Sequence, residues 1–136
     1  MRKGVVVSID QLKAAIEDEY RDFHFYKSMY NLTDDLMWKD FIQHVYEDEK
    51  SHYEMFQQLY YMLTGTFVQN PKKRSSCYDL KECAKRSIVS ELEGVETYKL
   101  LLLSIPVQQA YNPLFIAMMD EMEHAIRFST MYNALR

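Results

Sequence analysis

The run Tyr46-Glu47-Asp48-Glu49-Lys50-Ser51-His52-Tyr53 places a Glu and a His three positions apart inside a stretch of helical periodicity. Apolar residues recur on both sides of this pair at alternating steps of four and three, the spacing of a helix face that packs into a bundle core. The members of this face are Trp38, Ile42, Val45, Glu49, His52, Phe56, Leu59 and Leu63. Glu49 and His52 are therefore polar groups within an otherwise apolar face.

The same pattern returns near the end of the chain, where Glu121 and His124 interrupt a second apolar face. The members of that face are Ala110, Leu114, Ala117, Glu121, His124, Phe128, Met131 and Leu135. Two more helical stretches each include one Glu, in the faces Leu12, Ile16, Glu19, Phe23, Tyr26, Tyr30 and Ala84, Ile88, Glu91, Val95, Tyr98, Leu102. Four such faces predict an all-α, antiparallel four-helix bundle.

The electrostatics of the predicted core indicate a metal centre. If the four faces meet, four carboxylates lie together away from water, and no Lys or Arg occupies any position of these faces. Unpaired buried charges are strongly unfavourable and like charges repel, so the carboxylates must be protonated, exposed or bound to cations. Two divalent ions would balance four negative charges, with the imidazoles bound neutral. The predicted ligands are Glu19, Glu49, His52, Glu91, Glu121 and His124.

Length and composition restrict the remaining possibilities. The chain has 136 residues, enough for one four-helix domain over residues 1–136. A net charge of −4 and the lack of a basic tract give no reason to expect nucleic acid or an anionic membrane as a partner. The apolar run Val5–Val7 after Met1-Arg2-Lys3 is too short for a signal peptide. Cys77 and Cys83 form neither a disulfide framework nor a Cys-x-x-Cys pair, so we expect a reducing, cytoplasmic location.

The predicted helices span about 9–31, 34–63, 80–105 and 113–134. Ser8 with Gln11, Thr33, and Asp79 with Glu82 are the expected helix caps, and Gly65 is the expected stop after the second helix. Residues 66–78 have no helical periodicity, and we expect the basic cluster Lys72-Lys73-Arg74 to lie in a solvated loop there. An extended segment of that length can cross the whole bundle, so two helical hairpins joined by a long crossover are predicted.

The start of the fourth helix has two interpretations. Either Asn112 caps it with Pro113 in its first turn, or a short turn from Pro106 to Tyr111 precedes a kink. We favour the first.

A shift of 72 residues relates the two halves of the sequence and superimposes the predicted ligands. Identical pairs are Glu19/Glu91, Asp48/Asp120, Glu49/Glu121, His52/His124, Lys13/Lys85, Ile16/Ile88, Tyr26/Tyr98, Lys27/Lys99, Phe56/Phe128, Tyr60/Tyr132 and Leu63/Leu135. Two hairpins related by a pseudo-two-fold axis would build a symmetric two-metal site. Asp48 and Asp120 are expected to hold the ligating histidines, across the pseudo-two-fold axis or within one half. Tyr26 and Tyr98 either hydrogen-bond the ligating carboxylates or are ordinary aromatic core.

These segments resemble the ferritin-like di-metal carboxylate superfamily, in which two helices each supply a Glu and two others each supply Glu-x-x-His. The resemblance is strongest to rubrerythrin-like bacterial proteins, through Asp48-Glu49-Lys50-Ser51-His52, Asp120-Glu121-Met122-Glu123-His124, Glu19 with Tyr26, and Ser90-Glu91-Leu92-Glu93-Gly94. It implies bridging roles for Glu49 and Glu121, terminal roles for Glu19 and Glu91, and one His on each ion. Gly94 stands where rubrerythrins carry a further carboxylate, with Asp22 at the equivalent place in the first half. The rubredoxin domain of rubrerythrins has no counterpart in this sequence.

The resemblance implies a non-haem di-iron oxidoreductase that reduces peroxide or dioxygen or oxidises ferrous iron, with electrons from an external donor. The ligand set suits two iron ions and equally suits manganese. An iron- or manganese-buffering protein without significant turnover, and a structural bundle with a vestigial metal site, are the alternatives. A homodimer is a further expectation for a small helical domain.

Overall fold

The computed structural model describes residues 3–69, 71, 75–105 and 107–136 and consists of helices joined by short or extended segments. The helices are α1 (Lys3–Tyr30), α2 (Leu36–Thr64), α3 (Leu80–Ser104) and α4 (Tyr111–Ala134), with a single 3₁₀ turn at Gln108–Ala110. No strand occurs among these residues. The predicted all-helical class is confirmed. Met1, Arg2, Asn70, Lys72-Lys73-Arg74 and Pro106, on which parts of the sequence predictions fall, lie outside the described residues.

The helices pack as two hairpins, α1 against α2 and α3 against α4, with additional contacts from α1 to α3 and from α2 to α4. The connection between the hairpins runs from one end of the bundle to the other. Near its start, the backbone of Val68 exchanges two hydrogen bonds, of 2.8 and 3.0 Å, with the side chain of Gln57 near the end of α2. Near its finish, the amide of Cys77 donates to Ser28 Oγ, at the end of α1, over 2.8 Å. The described ends of the connection therefore lie at opposite ends of the bundle, as a crossover requires.

Two of the predicted helix boundaries are confirmed in detail. Gly65 follows α2 with φ 82°, a left-handed conformation that glycine adopts without strain, and its amide donates to the Tyr61 carbonyl. The Asp79 carboxylate caps α3 by accepting a hydrogen bond of 3.2 Å from the Lys81 amide.

Two predicted N-terminal caps are wrong. The first helix begins at Lys3, so Ser8 lies inside α1 instead of capping it. No proline precedes Ser8 to end the helix, and a Ser in a helix interior costs only a few tenths of a kcal/mol, about 0.5 relative to Ala. The cap of α2 is Asp35, which accepts from the amides of Met37 and Trp38, whereas Thr33 Oγ1 accepts from the Asp35 amide. Thr33 and Asp35 are both suitable N-cap residues, and the carboxylate of Asp35 is the group that caps α2.

The fourth helix also starts differently from the favoured prediction. The 3₁₀ turn at Gln108–Ala110 leads directly into α4 at Tyr111, and the side chain of Ala110 provides no cap. The amides of Ala110 and Tyr111 donate to the carbonyls of Val107 and Gln108. Because the turn already satisfies these donors, Asn112 is not needed as a cap. Pro113 lies in the first turn, where a missing amide proton has no consequence.

Cys77 and Cys83 form a disulfide, with their Cα atoms 6.1 Å apart. The expectation that they would not pair is wrong. Cys83 lies in the first turn of α3, and the cap at Asp79 turns the chain so that Cys77, just before the helix, lies beside it. The expectation of a cytoplasmic location rested on free thiols and loses that support. Within the described part of the chain, none of the helices has the length and apolarity needed to span a membrane.

Candidate metal centre

The six predicted ligands occupy one layer halfway along the bundle. One apolar cluster, which includes Leu12, Phe56, Tyr98 and Leu114, lies on one side of this layer. A second cluster, which includes Met29, Ile42, Ala84 and Phe128, lies on the other side. In every helix the ligand positions separate the residues of the two clusters along the sequence, so the helical register that buries both clusters also turns the ligands inward. Their side chains are Glu19, Glu49, His52, Glu91, Glu121 and His124, each exposed by 3% or less.

The six side chains form two overlapping groups that could hold metal ions. Glu19 and His52 belong to one group, and Glu91 and His124 belong to the other. Glu49 and Glu121 belong to both. Within each group the possible ligand atoms lie within 4.8 Å of one another. The structure therefore brings together all six residues that the sequence indicated.

The distances between these atoms match the spacing of ligands around an ion. His52 Nδ1 lies 3.4 Å from Glu19 Oε1, 3.5 Å from Glu49 Oε1 and 3.3 Å from Glu121 Oε1. His124 Nδ1 has corresponding separations of 3.4, 3.3 and 3.7 Å from Glu91, Glu49 and Glu121. Ligands about 2.1 Å from one ion, at tetrahedral or octahedral angles, lie roughly 3.0 to 3.4 Å apart.

Several polar atoms of this layer lack hydrogen-bond partners, as the donor atoms of a metal site would. Seven buried side-chain atoms find no hydrogen-bond partner in the described chain. They are Glu19 Oε2, Glu49 Oε1 and Oε2, His52 Nδ1, Glu91 Oε2, Glu121 Oε1 and His124 Nδ1. Buried polar atoms are normally satisfied. All seven belong to the six predicted ligands, and carboxylate oxygens with imidazole nitrogens form a donor set that suits iron or manganese.

The outer nitrogen of each central histidine bonds an aspartate from the other half of the chain. His52 Nε2 lies 2.7 Å from Asp120 Oδ2, and His124 Nε2 lies 2.8 Å from Asp48 Oδ2. Nδ1 of each ring faces the centre. Because a carboxylate accepts the proton of Nε2, the neutral imidazole has its lone pair on Nδ1. Of the two arrangements foreseen for Asp48 and Asp120, the one across the pseudo-two-fold axis is present. His44, which the sequence did not single out as functional, also contacts Asp48 over 3.3 Å.

The two buried tyrosines also bond carboxylates of the opposite half. Tyr26 donates to Glu91 Oε1 over 2.6 Å, and Tyr98 donates to Glu19 Oε1. Burial, together with the negative charge of the carboxylate each one bonds, raises the pKa of Tyr26 and of Tyr98 well above the usual phenol value. Both phenols therefore keep their protons and act as donors. Of the two interpretations that the sequence left open, hydrogen bonding to the carboxylates is confirmed.

The pKa shifts of the layer favour retention of protons on some of its groups. Burial, followed by repulsion from Glu49, raises the pKa of Glu19 and of Glu121 well above the usual carboxyl value. Burial opposes ionisation of Glu49 as well, but the adjacent imidazoles outweigh it and lower its pKa. Burial alone would lower the pKa of His52 and His124, but the surrounding carboxylates raise both. Cations would replace these protons.

A gap between α1 and α3 leads toward the centre at Gly94. A Cβ atom at this position would lie 3.2 Å from Glu121 Oε2, so any larger residue would press on that carboxylate. A cavity of about 100 Å³ beside it is lined by Asp22, Ser90, Thr97 and Glu121, among others. Burial and the charge of Glu49 raise the pKa of Asp22, whose carboxylate bonds Arg21 over 3.3 Å. The smallest side chain of α3 is therefore the one that leaves an opening beside a ligand.

Comparisons with known proteins add a likeness in fold. The chain is similar to the solved structure of a hypothetical protein from Pyrococcus furiosus, with a TM-score of 0.81 and 20% sequence identity. The match covers 93% of this chain and 88% of that chain. At this identity the likeness shows a shared helical fold alone. No family model matches the chain, and a search of curated proteins also found no match.

Proposed function

We propose that this chain is a non-haem di-iron protein of the ferritin-like, rubrerythrin-like type, which reduces peroxide or dioxygen with electrons from ferrous iron. The observation that carries the proposal is the set of seven buried atoms without partners, all on four carboxylates and two imidazoles in one layer. Apolar side chains fill the layers on both sides, so a structural bundle would be more stable with apolar residues here as well.

The charge balance favours two ions. When all four carboxylates are ionised they carry four negative charges, and two divalent cations cancel them when both imidazoles are neutral. A single divalent ion would leave two negative charges in a layer that is at most 3% exposed. Two uncompensated negative charges are strongly unfavourable in the core.

The membership of the two groups supports a role for each ligand. Glu49 and Glu121 belong to both groups, so each would bridge the two ions. Glu19 and His52 would complete one ion, and Glu91 and His124 the other. Each ion would then be held by four side chains of this chain.

Two ferrous ions bound here would supply two electrons, enough to convert peroxide and two protons into two molecules of water. The residues of the chain would hold and shield the site. Asp48 and Asp120 orient the imidazoles so that Nδ1 faces inward. Tyr26 and Tyr98 fix the carboxylates of Glu91 and Glu19. The apolar clusters exclude bulk water, and an external electron donor would restore the ferrous state.

Metal loading with a matched pair of variants tests the proposal. The metal-free protein is incubated anaerobically with Fe(II), freed of excess metal, analysed for iron per chain, and then mixed with peroxide. We expect two irons per chain and consumption of peroxide. Glu49→Gln removes a charge shared by both groups and should lower the iron content, whereas Glu47→Gln, an exposed neighbour on the same helix, should not.

Each alternative has its own outcome. Two tightly retained ions with no peroxide consumption would contradict the redox proposal and support iron or manganese buffering. A protein that binds no stoichiometric iron or manganese would be a structural bundle with a vestigial site. Equal iron content in Glu49→Gln and Glu47→Gln would place the metal outside the central layer.

A further inference from the structure

The second hairpin exposes a continuous apolar surface that the metal centre does not explain. We define the α3–α4 face as the outward side of this hairpin that carries nine large apolar side chains, each exposed by 39% to 77%. They are Val89, Leu92, Leu100 and Leu103 on α3 and Tyr111, Phe115, Met119, Met122 and Ile126 on α4. Steps of three, four, seven or eight place the members of each helix on one side of it.

The first hairpin provides an internal comparison, because a shift of 72 residues relates the two. The positions equivalent to the α3–α4 face are Glu17, Tyr20, Ser28, Asn31, Lys39, Gln43, Glu47, Lys50 and Glu54. All but one of these are polar or charged. The exposed apolar residues of the first hairpin lie instead at its ends, as Leu32, Leu36 and Met37 and as Tyr61 and Met62. Both hairpins supply the same kinds of metal ligand, so the fold and the centre do not require an apolar outer face.

We propose that the α3–α4 face is the interface between two copies of this chain, related by a two-fold axis. At about 200 Å² for a fully exposed large side chain, the face offers roughly 900 Å² of apolar surface. Stable complexes bury about 800 Å² on each partner. The available area therefore matches what a stable dimer needs.

The spacing along α4 favours a second copy over a different partner. A two-fold interface requires that residue i of one copy meets residue j of the other and that j meets i. In an antiparallel pair of α4 helices centred between Met118 and Met119, Tyr111 lies opposite Ile126 of the other copy. In the same pair Phe115 lies opposite Met122. Four of the five α4 members of the face thus pair with one another, and Met119, next to the axis, lies opposite Met118 of the other copy.

The spacing along α3 supplies one such pair of apolar residues. An antiparallel arrangement centred between residues 97 and 98 places Leu92 opposite Leu103 of the other copy. It also places Glu96 opposite Lys99, and both of these side chains are exposed. The charges of this pair are therefore complementary across the proposed axis.

The midpoints of these two antiparallel arrangements, at 97/98 on α3 and at 118/119 on α4, lie at the same level along the bundle axis. α3 and α4 are antiparallel, and Gly94 lies level with Glu121, because a Cβ on Gly94 would contact the Glu121 carboxylate. Residues near 97 on α3 therefore lie level with Met118. One two-fold axis can pass through both centres, so a single dimer brings together the apolar pairs of both helices.

The association state of the purified protein tests the interface. Sedimentation equilibrium should give twice the mass of the chain at micromolar concentration. Phe115→Glu places a charge in the centre of the interface and should weaken dimerisation about 100-fold. Gln43→Glu introduces the same charge at the equivalent position of the first hairpin and should leave the dimer intact. Circular dichroism of both variants checks that the helices remain.

A charge exchange separates a second copy from any other partner. Glu96→Lys and Lys99→Glu should each weaken the dimer, because each brings like charges together across the axis. The double variant should restore it, since opposite charges meet again. A wild-type protein that stays monomeric would overturn the proposal. So would a dimer that resists Phe115→Glu, or a double variant no stronger than the single ones.

Discussion

A buried imidazole has two ring nitrogens, and in this bundle each of them faces a different environment. Nδ1 of His124 faces the carboxylates of the central layer, and Nε2 donates to Asp48 from the other half of the chain. The carboxylate of Asp48 is 26% exposed, so its charge is only partly desolvated. Such a partner fixes the tautomer and the ring orientation. In the proposed function, Asp48 would therefore influence metal binding without touching the metal.

This role predicts a loss of metal affinity in Asp48→Asn. The amide keeps the size of the side chain but removes the charge that orients His124, so affinity for Mn²⁺ should fall about 10- to 100-fold. A competition titration with a chelating dye measures the change. Asp40→Asn on the exposed side of the same helix is the control. Unchanged affinity in Asp48→Asn would show that the imidazole is oriented by packing alone.

At the residue scale, the sequence was sufficient to identify the six polar residues of the central layer but not their partners. Glu49 and His52 are recognisable because they replace apolar residues in a regular face, and burial then requires something to balance them. The bond from Asp120 to His52 joins residues 68 positions apart. This bond crosses the pseudo-two-fold axis, and whether it can do so depends on how the two hairpins are rotated relative to each other. The spacing of residues along the sequence does not predict that rotation.

At the level of elements, competition between similar local structures explains the boundaries that sequence reasoning missed. Thr33 and Asp35 are both good caps, and such choices differ by no more than about 1 kcal/mol. Packing of the following helical turn can decide between two such caps, and the identity of the cap residue does not predict that packing. Gly65 was predictable because only glycine adopts a positive φ without strain. Strong local preferences were therefore predictable, whereas balanced ones were not.

The disulfide between Cys77 and Cys83 gives a prediction for the crossover. Both cysteines are at most 4% exposed, and they link the end of the crossover to the first turn of α3. The small loop that they close should contribute about 2 kcal/mol by restricting the unfolded chain. Urea unfolding of Cys77→Ser/Cys83→Ser should show a loss of that size. Reductant should lower the stability of the wild type but not of the double variant. Equal stability of the reduced and the oxidised wild type would contradict a structural role.

On the scale of the whole molecule, the two halves share a symmetric interior and differ on the outside. The repeat of 72 residues predicts the interior, because identical residues fall on the ligand positions. The apolar α3–α4 face was present in the same sequence but was not recognised. Its residues were interpretable only after the core-facing side of each helix was known. The interior then accounts for the buried polar residues, and the exposed apolar residues that remain are the basis of the proposed interface.

Linkage between protons, ions and folding determines how stability depends on pH. Glu19 and Glu121 have folded-state pKa values above 4.5, so the stability they contribute is present below that pH and is lost as pH rises. His52 and His124 have folded-state pKa values above 6.5, so their contribution is also lost as pH rises further. Glu49, whose pKa is lowered, acts in the opposite direction, but its contribution is lost only as pH falls below 4.5.

The metal-free protein should therefore melt at a lower temperature at about pH 8 than at about pH 5, by roughly 5 °C or more. Bound ions need deprotonated ligands, so the rise in melting temperature caused by Mn²⁺ should be larger at the higher pH. Differential scanning calorimetry of metal-free and loaded protein measures both trends. In Glu121→Gln, which has no carboxyl proton to exchange at this position, the pH dependence of the metal-free form should be smaller. A melting temperature of the metal-free protein that rises with pH would mean that the central carboxylates are not held together by protons, and the argument for cations in their place would fail with it.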